Sequence, residues 1–295
     1  MTRRAAVLSA LVTLGALSTA VMAAQHAGHD DQKVVTLQRI KDNLYLATGG
    51  GGNTAVFITD LGVVLVDTKL PGWGQPLAAK IRTITDKPIA TIINTHAHID
   101  HVGSNEFFGT AVEIVAQENT RRTMDRMDAF NGEKTSALPK LTYRDTMTLG
   151  AGRDRIDLYY FGPGHTSGDA WVVFRAARVV HAGDLFARTE PPMIDNLNGG
   201  SGLAYPETLA KAAAGIKDVV TIITGHGTLR PWKDLATYAD FTREFRDAVV
   251  DGFNHGRGVS EIAGSWKLPA KFAGYAAPPN AVQEGVEAIV GELSR

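Results

Sequence analysis

The chain of 295 residues has no cysteine. That excludes disulfides, thiolate metal ligands and a lipid attached through an N-terminal cysteine. A basic excess is also missing: 30 Lys and Arg stand against 31 Asp and Glu. Nothing in that balance favours nucleic acid. The glycine run Gly49 to Gly52 lacks the following Lys-Ser or helix start that a nucleotide-binding loop requires, and it reads as a flexible turn between two strands. From Val34 onward there is no linker, repeat or low-complexity run, so residues 34–295 are expected to form a single domain. Its stability must come from packing and metal.

The start of the chain has a different character. Arg3 and Arg4 precede an uncharged stretch, Ala5 to Val21, and small residues follow at Ala20, Ala23 and Ala24. This is the pattern of a signal peptide, expected over residues 1–23 and placing the mature protein in the periplasm or outside the cell. A stable membrane anchor is not expected, because the stretch is short for a bilayer and Ser, Thr and Gly15 interrupt it. Arg3-Arg4 hints at twin-arginine export, although Ala5-Ala6 lacks the usual bulky residue. Removing residues 1–23 takes away two Arg and no acid, leaving 28 basic against 31 acidic side chains. Residues 24–33 read as a mobile polar tail, although His26, His29, Asp30 and Asp31 are metal-capable.

Strand-like runs recur at Val34 to Ile40, Leu44 to Ala47, Ala55 to Thr59 and Val63 to Asp67, separated by turn residues that predict hairpins of one sheet. A helix at about residues 75–85 then leads into a buried strand, Ile89 to Ile93, the rhythm of an α/β unit. Further strands are predicted at Ile156 to Phe161, Ala170 to Phe174, Val179 to Ala182 and Val219 to Ile223. The spacing of Phe241, Phe245, Ala248 and Val249 predicts an amphipathic helix over Leu235 to Phe253.

Directly after Ile93 comes Asn94-Thr95-His96-Ala97-His98-Ile99-Asp100-His101. On a loop leaving a strand, alternate residues point to one side, so His96 and His98 can grip one ion while the turn delivers Asp100 and His101 to a neighbour. Imidazole nitrogens and carboxylates are ligands that Zn²⁺ accepts at about 2.0 to 2.2 Å. One H-x-H alone is weak evidence, but H-x-H-x-D-H after an apolar strand is not. With His165, Asp184 and His226, each near a predicted strand, the set amounts to ligands for two adjacent ions.

These residues resemble the metallo-β-lactamase superfamily of metal-dependent hydrolases. The resemblance covers nearly all of the mature chain and extends to Gly162-Pro163-Gly164-His165-Thr166-Ser167-Gly168, Ala182-Gly183-Asp184 and Gly225-His226-Gly227, in family order. It implies an α+β fold, the four-layer αββα metallo-β-lactamase sandwich, with metals at one edge between the sheets. By likeness, His96, His98 and His165 hold the first metal, Asp100, His101 and His226 the second, and Asp184 bridges them. Asp67, ending a strand, resembles the buried aspartate that fixes the tautomer of a ligand histidine. The bridging aspartate resembles glyoxalase II and the lactonases, whereas β-lactamases place cysteine or serine near that position.

The resemblance implies two Zn²⁺ per chain, Fe or Mn being alternatives. A metal-bound hydroxide would attack the carbonyl of a small-molecule lactone, ester or thioester, with Asp100 as the catalytic residue that orients it. A periplasmic β-lactamase activity, main or secondary, and a mononuclear iron sulfur dioxygenase are the alternatives. Diiron oxygen reductases place glutamate where this chain has His98. The charge balance and export signal oppose a nuclease, and a non-catalytic module would be expected to have lost a ligand. The long stretch Thr189 to Gly202 is expected to be a loop that contacts substrate. By resemblance Gly49 to Gly52 lies near the metals, giving room for substrate. His181 is expected to be packed and His255 to cap a helix end in solvent, both outside the site. Nothing in the sequence sets an oligomeric state.

Overall fold

Short β-branched runs become strands of two sheets in the computed structural model, which describes residues 33–295. The expected leader and all of the polar tail except Lys33 lie outside the described residues. The first sheet contains β1 (Thr36–Lys41), β2 (Leu44–Thr48), β3 (Thr54–Ile58), β4 (Val63–Val66), β5 (Ile89–Asn94), β6 (Glu113–Gln117) and β7 (Leu141–Tyr143), paired in that order. The first four strands are antiparallel, as their turns predict, and the pairs from β4 to β7 are parallel. The second sheet contains β8 (Thr146–Leu149), β9 (Ile156–Tyr159), β10 (Trp171–Phe174), β11 (Val179–His181), β12 (Thr221–Ile223) and β13 (Arg230–Pro231), and only its β11/β12 pair is parallel.

The described α-helices are α1 (Gly74–Ile81), α2 (Ile99–Val102), α3 (Glu118–Met124), α4 (Tyr205–Gly215), α5 (Asp234–Asn254), α6 (Val259–Ser265) and α7 (Pro279–Leu293). Alternate strand residues face opposite sides of a sheet, and here both sides are covered. Val64 and Val66 of β4, with Phe57, Ile93, Leu158, Val172 and Phe174, fill the space between the sheets. Val63 and Leu65 instead pack outward with Leu77 and Ile81 of α1. On the far side, Trp171, Val173 and Val180 pack against Leu209 and Ala212 of α4 and Leu235, Tyr238 and Phe241 of α5. The resulting order is helix, sheet, sheet, helix, the expected α+β sandwich.

Within α5, Phe241, Phe245 and Val249 are buried while Ala248 is half-buried. The predicted strand at Val219 begins two residues later, at Thr221, and the one starting at Ile156 ends at Tyr159. Strands β6, β7, β8 and β13 and helices α2, α3, α4, α6 and α7 had no prediction. Among the described residues, no helix is long and apolar enough to cross a membrane.

Candidate metal centre

The seven candidate ligands leave their elements at one end of the two sheets. His96 and His98 follow β5, Asp100 and His101 lie in the single turn α2, and His165 sits between β9 and β10. Asp184 occupies a 3₁₀ turn directly after β11, and His226 comes three residues after β12. The structure brings all seven together as two groups, His96, His98, His165 and Asp184 in one, Asp100, His101 and His226 in the other. Within each group, one ligand atom per residue lies within 4.8 Å of the rest.

The Asp184 carboxylate stands between the groups. Its Oδ2 is 4.0 Å from His96 Nε2, 3.7 Å from His165 Nε2 and 3.2 Å from His226 Nε2, and its Oδ1 is 3.4 Å from His101 Nε2. Asp100 Oδ2 lies 3.3 Å from His226 Nε2 and 3.6 Å from His101 Nε2. Burial is uneven. His98 and Asp100 keep 25% and 26% of their side chains exposed, so the centre opens on their side; His96, His101, His165 and Asp184 are closed off.

The donor set fits cations. Asp184 Oδ1 and His96 Nε2 are buried and have no hydrogen-bond partner, a costly state for polar atoms unless something they coordinate lies between them. Four histidines have their other ring nitrogen tied down. His96 Nδ1 lies 3.0 Å from Thr95 Oγ1, His98 Nε2 is 2.7 Å from Asp195 Oδ2, His101 Nδ1 is 2.7 Å from Asp67 Oδ2, and His165 Nδ1 is 2.9 Å from the Met193 carbonyl. Thr95 Oγ1 gives its proton to Asp67, so it accepts from His96. These bonds place the ring protons outward and aim the lone pairs at the centre, as metal ligation needs.

Electrostatics agree. Burial and the neighbouring imidazoles hold His96 well below its usual range, and burial pushes His165 down to about 4. Burial opposes the charge on His101 too, but Asp184 and Asp67 outweigh it and raise that ring well above 6.5. Asp184 stays well below the usual carboxylate range because His101, His226 and His96 overcome its own burial. His96 and His165 are thus held neutral, His101 favours its proton, and the central carboxylate is ionised.

Glycines permit this density. A Cβ on Gly225 would lie 1.8 Å from Asp184 Oδ1, and one on Gly52 would lie 2.2 Å from His101 Cε1. The glycine run therefore touches the centre from behind, its last N–H bonded to the Asp100 carbonyl at 3.1 Å.

His181 is packed away, its Nε2 bonded to the Asn53 carbonyl and its Nδ1 accepting from Gly183 N. His255 caps α5 in solvent through the Asp251 carbonyl. Three supporting residues went unmarked in the sequence: Thr95, Asp195 and Lys69, whose buried Nζ bonds the carbonyls of Ala47 and Gly52. Thr95 adjoins the motif. The other two are known only through contacts made across the fold.

A family model described as the metallo-beta-lactamase superfamily matches residues 47–226, which include all seven residues. The chain is 25% identical over 219 residues to a metallo-beta-lactamase type 2 of Elizabethkingia meningoseptica, covering 68% of this chain and 80% of the relative. It is 26% identical over 163 residues to the 2,4-dinitroanisole O-demethylase subunit alpha of Nocardioides sp. (strain JS1661), covering 53% of this chain and 48% of that one. Among solved structures, a sec-alkyl sulfatase matches with TM-score 0.67 at 14% identity, over 86% of this chain and 50% of that chain. A metallo-beta-lactamase from Pontibacter korlensis matches with TM-score 0.62 at 18% identity, over 71% of this chain and 99% of that chain. The chain thus spans about half the length of the demethylase subunit and of the sulfatase.

Proposed function

The chain belongs to the metallo-beta-lactamase superfamily of metal-dependent hydrolases, and from that premise we propose that it is a dinuclear zinc enzyme cleaving a small-molecule lactone, ester or thioester. One observation carries this. The Asp184 carboxylate lies between a three-histidine group and an Asp-His-His group, with an oxygen within 4.0 Å of a nitrogen on each side. A carboxylate can share its two oxygens between neighbouring cations, and its charge helps balance theirs.

His96, His98 and His165 would hold one ion, Asp100, His101 and His226 the other. Two zinc ions so held supply Lewis acidity, both to ionise water near neutral pH and to polarise a carbonyl. The chain's residues do the rest. Asp100 stands at the open side, where its carboxylate can orient the attacking water and accept its proton. Buried His96, His101 and His165 keep the floor of the centre rigid and dry, which strengthens every electrostatic contact above it. We also take the protein to be exported with residues 1–23 removed, a reading supported by Arg3-Arg4 and the apolar stretch after them.

A second reading, β-lactam hydrolysis, is favoured by the likeness to the Elizabethkingia enzyme. Elemental analysis of the purified protein, followed by lactones, thioesters, β-lactams, phosphodiesters, 2,4-dinitroanisole and a secondary alkyl sulfate with and without chelator, separates the readings. The expected result is two zinc per chain and chelator-sensitive turnover of a lactone, ester or thioester, abolished in His98→Ala. Turnover that survives both chelation and His98→Ala would refute the metal's role. Preferred turnover of a β-lactam would install the second reading instead.

A further inference from the structure

We propose that Asp195 is a positioning residue that sets the ring orientation and tautomer of His98, making metal binding by the first group depend on the 193–200 loop. This rests on the reading that His96, His98, His165 and Asp184 hold a metal.

His98 points at its group through Nδ1, which lies 2.9 Å from His165 Nε2, while its Nε2 faces Asp195 Oδ2 at 2.7 Å. To offer the Nδ1 lone pair, the ring must keep its proton on Nε2. An ionised carboxylate only accepts, so Asp195 enforces that tautomer. His98 needs such help more than its neighbours. It is a quarter exposed, whereas His96 and His165 are walled in by packing.

Asp195 is itself fixed from several directions. Its Oδ1 accepts from the backbone N–H groups of Leu197 and Asn198, and its Oδ2 also accepts from Asn198 Nδ2 at 2.6 Å. Its own N–H bonds the His165 carbonyl at 2.8 Å, and its carbonyl accepts from Gly200 at 2.8 Å. Two residues earlier, the Met193 carbonyl takes the Nδ1 proton of His165. One loop therefore orients two of the three histidines in the first group. In the second group the equivalent carboxylate, Asp67 on His101, comes from the end of β4.

The loop is braced from behind by α7, which lies beyond the residues that the family model matches. The Ser201 hydroxyl and the Leu203 N–H both bond the Glu292 carboxylate, and a Cβ on Gly202 would meet Ile289 at 2.4 Å. The brace continues to the ligand, because Ser201 N bonds the carbonyl of Gly164, the residue before His165, at 2.9 Å.

The test compares zinc affinities of the full-length protein, wild type against Asp195→Asn and Asp195→Glu, by competition with a chromophoric chelator, alongside thermal unfolding of the metal-free forms. Asn keeps an oxygen to accept from Leu197 and Asn198 but can present an N–H₂ to His98 Nε2, favouring the wrong tautomer. The expected result is one site weakened about 10- to 100-fold in Asp195→Asn. The other site should be unchanged, the melting temperature of the metal-free protein within a few degrees of wild type, and affinity partly restored in Asp195→Glu. Wild-type affinity at both sites in Asp195→Asn would overturn the proposal while leaving the hydrolase reading intact. So would equal loss at both sites with a collapsed melting temperature in both variants, which would make Asp195 a loop cap only. A wild-type protein that binds no zinc would end both.

Discussion

Lys69 Nζ lies 2.6 Å from the carbonyl oxygen of Gly52, and the backbone of Gly52 in turn lies against the imidazole of His101. A fully buried lysine thus ties the glycine run to the rear of the metal centre, with a second bond to the Ala47 carbonyl at 2.7 Å. The corner that delivers it is unusual. Asp67 and Lys69 have φ of +65° and +76°, left-handed values that cost on the order of 1 kcal/mol each for residues with side chains. The strain turns Asp67 toward His101 and Lys69 toward the glycines.

Replacing Lys69 with Met should loosen the glycine run and destabilise the protein in a pH-dependent way. Burial pushes the Lys69 amine down to about 7 from its ordinary 10.5. Between those values the unfolded chain holds a proton that the folded chain lacks, so this group makes stability rise with pH, by about 1 kcal/mol per pH unit. Below about 7 both states are charged and the dependence ends. Urea unfolding at pH 7 and 9.5 should therefore show the wild type gaining on Lys69→Met at the higher pH. A constant difference would mean that the folded amine stays charged.

Gly225→Ala should cripple the centre without unfolding the sheets. The added methyl would sit 1.8 Å from Asp184 Oδ1 and 2.8 Å from the Gly183 carbonyl, so the carboxylate must move. We expect loss of at least one metal equivalent and roughly a hundredfold fall in turnover, since displacements near 1 Å cost about that much. Two retained metals with wild-type turnover would show that Asp184 does not need its observed position.

Asp67→Asn should weaken the site built on His101. Asn tolerates the left-handed backbone at this position, so the substitution removes the charge and one acceptor oxygen without disturbing the corner. The expected effect is about a 10- to 100-fold lower affinity at one site, read by chelator competition. Equal effects on both sites would point to a general loss of structure.

Zinc affinity should rise with pH through 6.5 and beyond. Metal must displace the proton on His101, and Asp184 and Asp67 hold that proton well above the usual histidine range. Each pH unit below the raised value costs one such site up to tenfold. Competition titrations at pH 6, 7 and 8 should show affinity still climbing from 7 to 8. A plateau reached by pH 6.5 would mean that His101 is already neutral there.

Much of the centre was legible because its ligands lie close to strand ends in sequence. The run from His96 to His101 follows a strand that its β-branched residues announce, and Asp184 and His226 come within three residues of β11 and β12. The supports were harder to see. Asp195 lies 97 residues from His98, and Lys69 reaches back 17 residues to Gly52, so no local pattern marks either one. Strands β7 and β8 were missed for another reason: β7 has three residues, and β8 alternates only between exposed and half-buried positions.

What the linear order of residues determined was the chemistry on offer. With no cysteine and with histidines and aspartates placed at the ends of apolar runs, any metal must be held by nitrogen and oxygen. What only the tertiary structure decided was the grouping: which ring nitrogen faces inward, that the Asp184 carboxylate reaches nitrogens of both groups, and that Asp67 and Asp195 bond different histidines. The reason is physical. Ligand identity is a property of side chains, but tautomer and orientation are set by hydrogen bonds to partners that become neighbours only when two sheets close on each other.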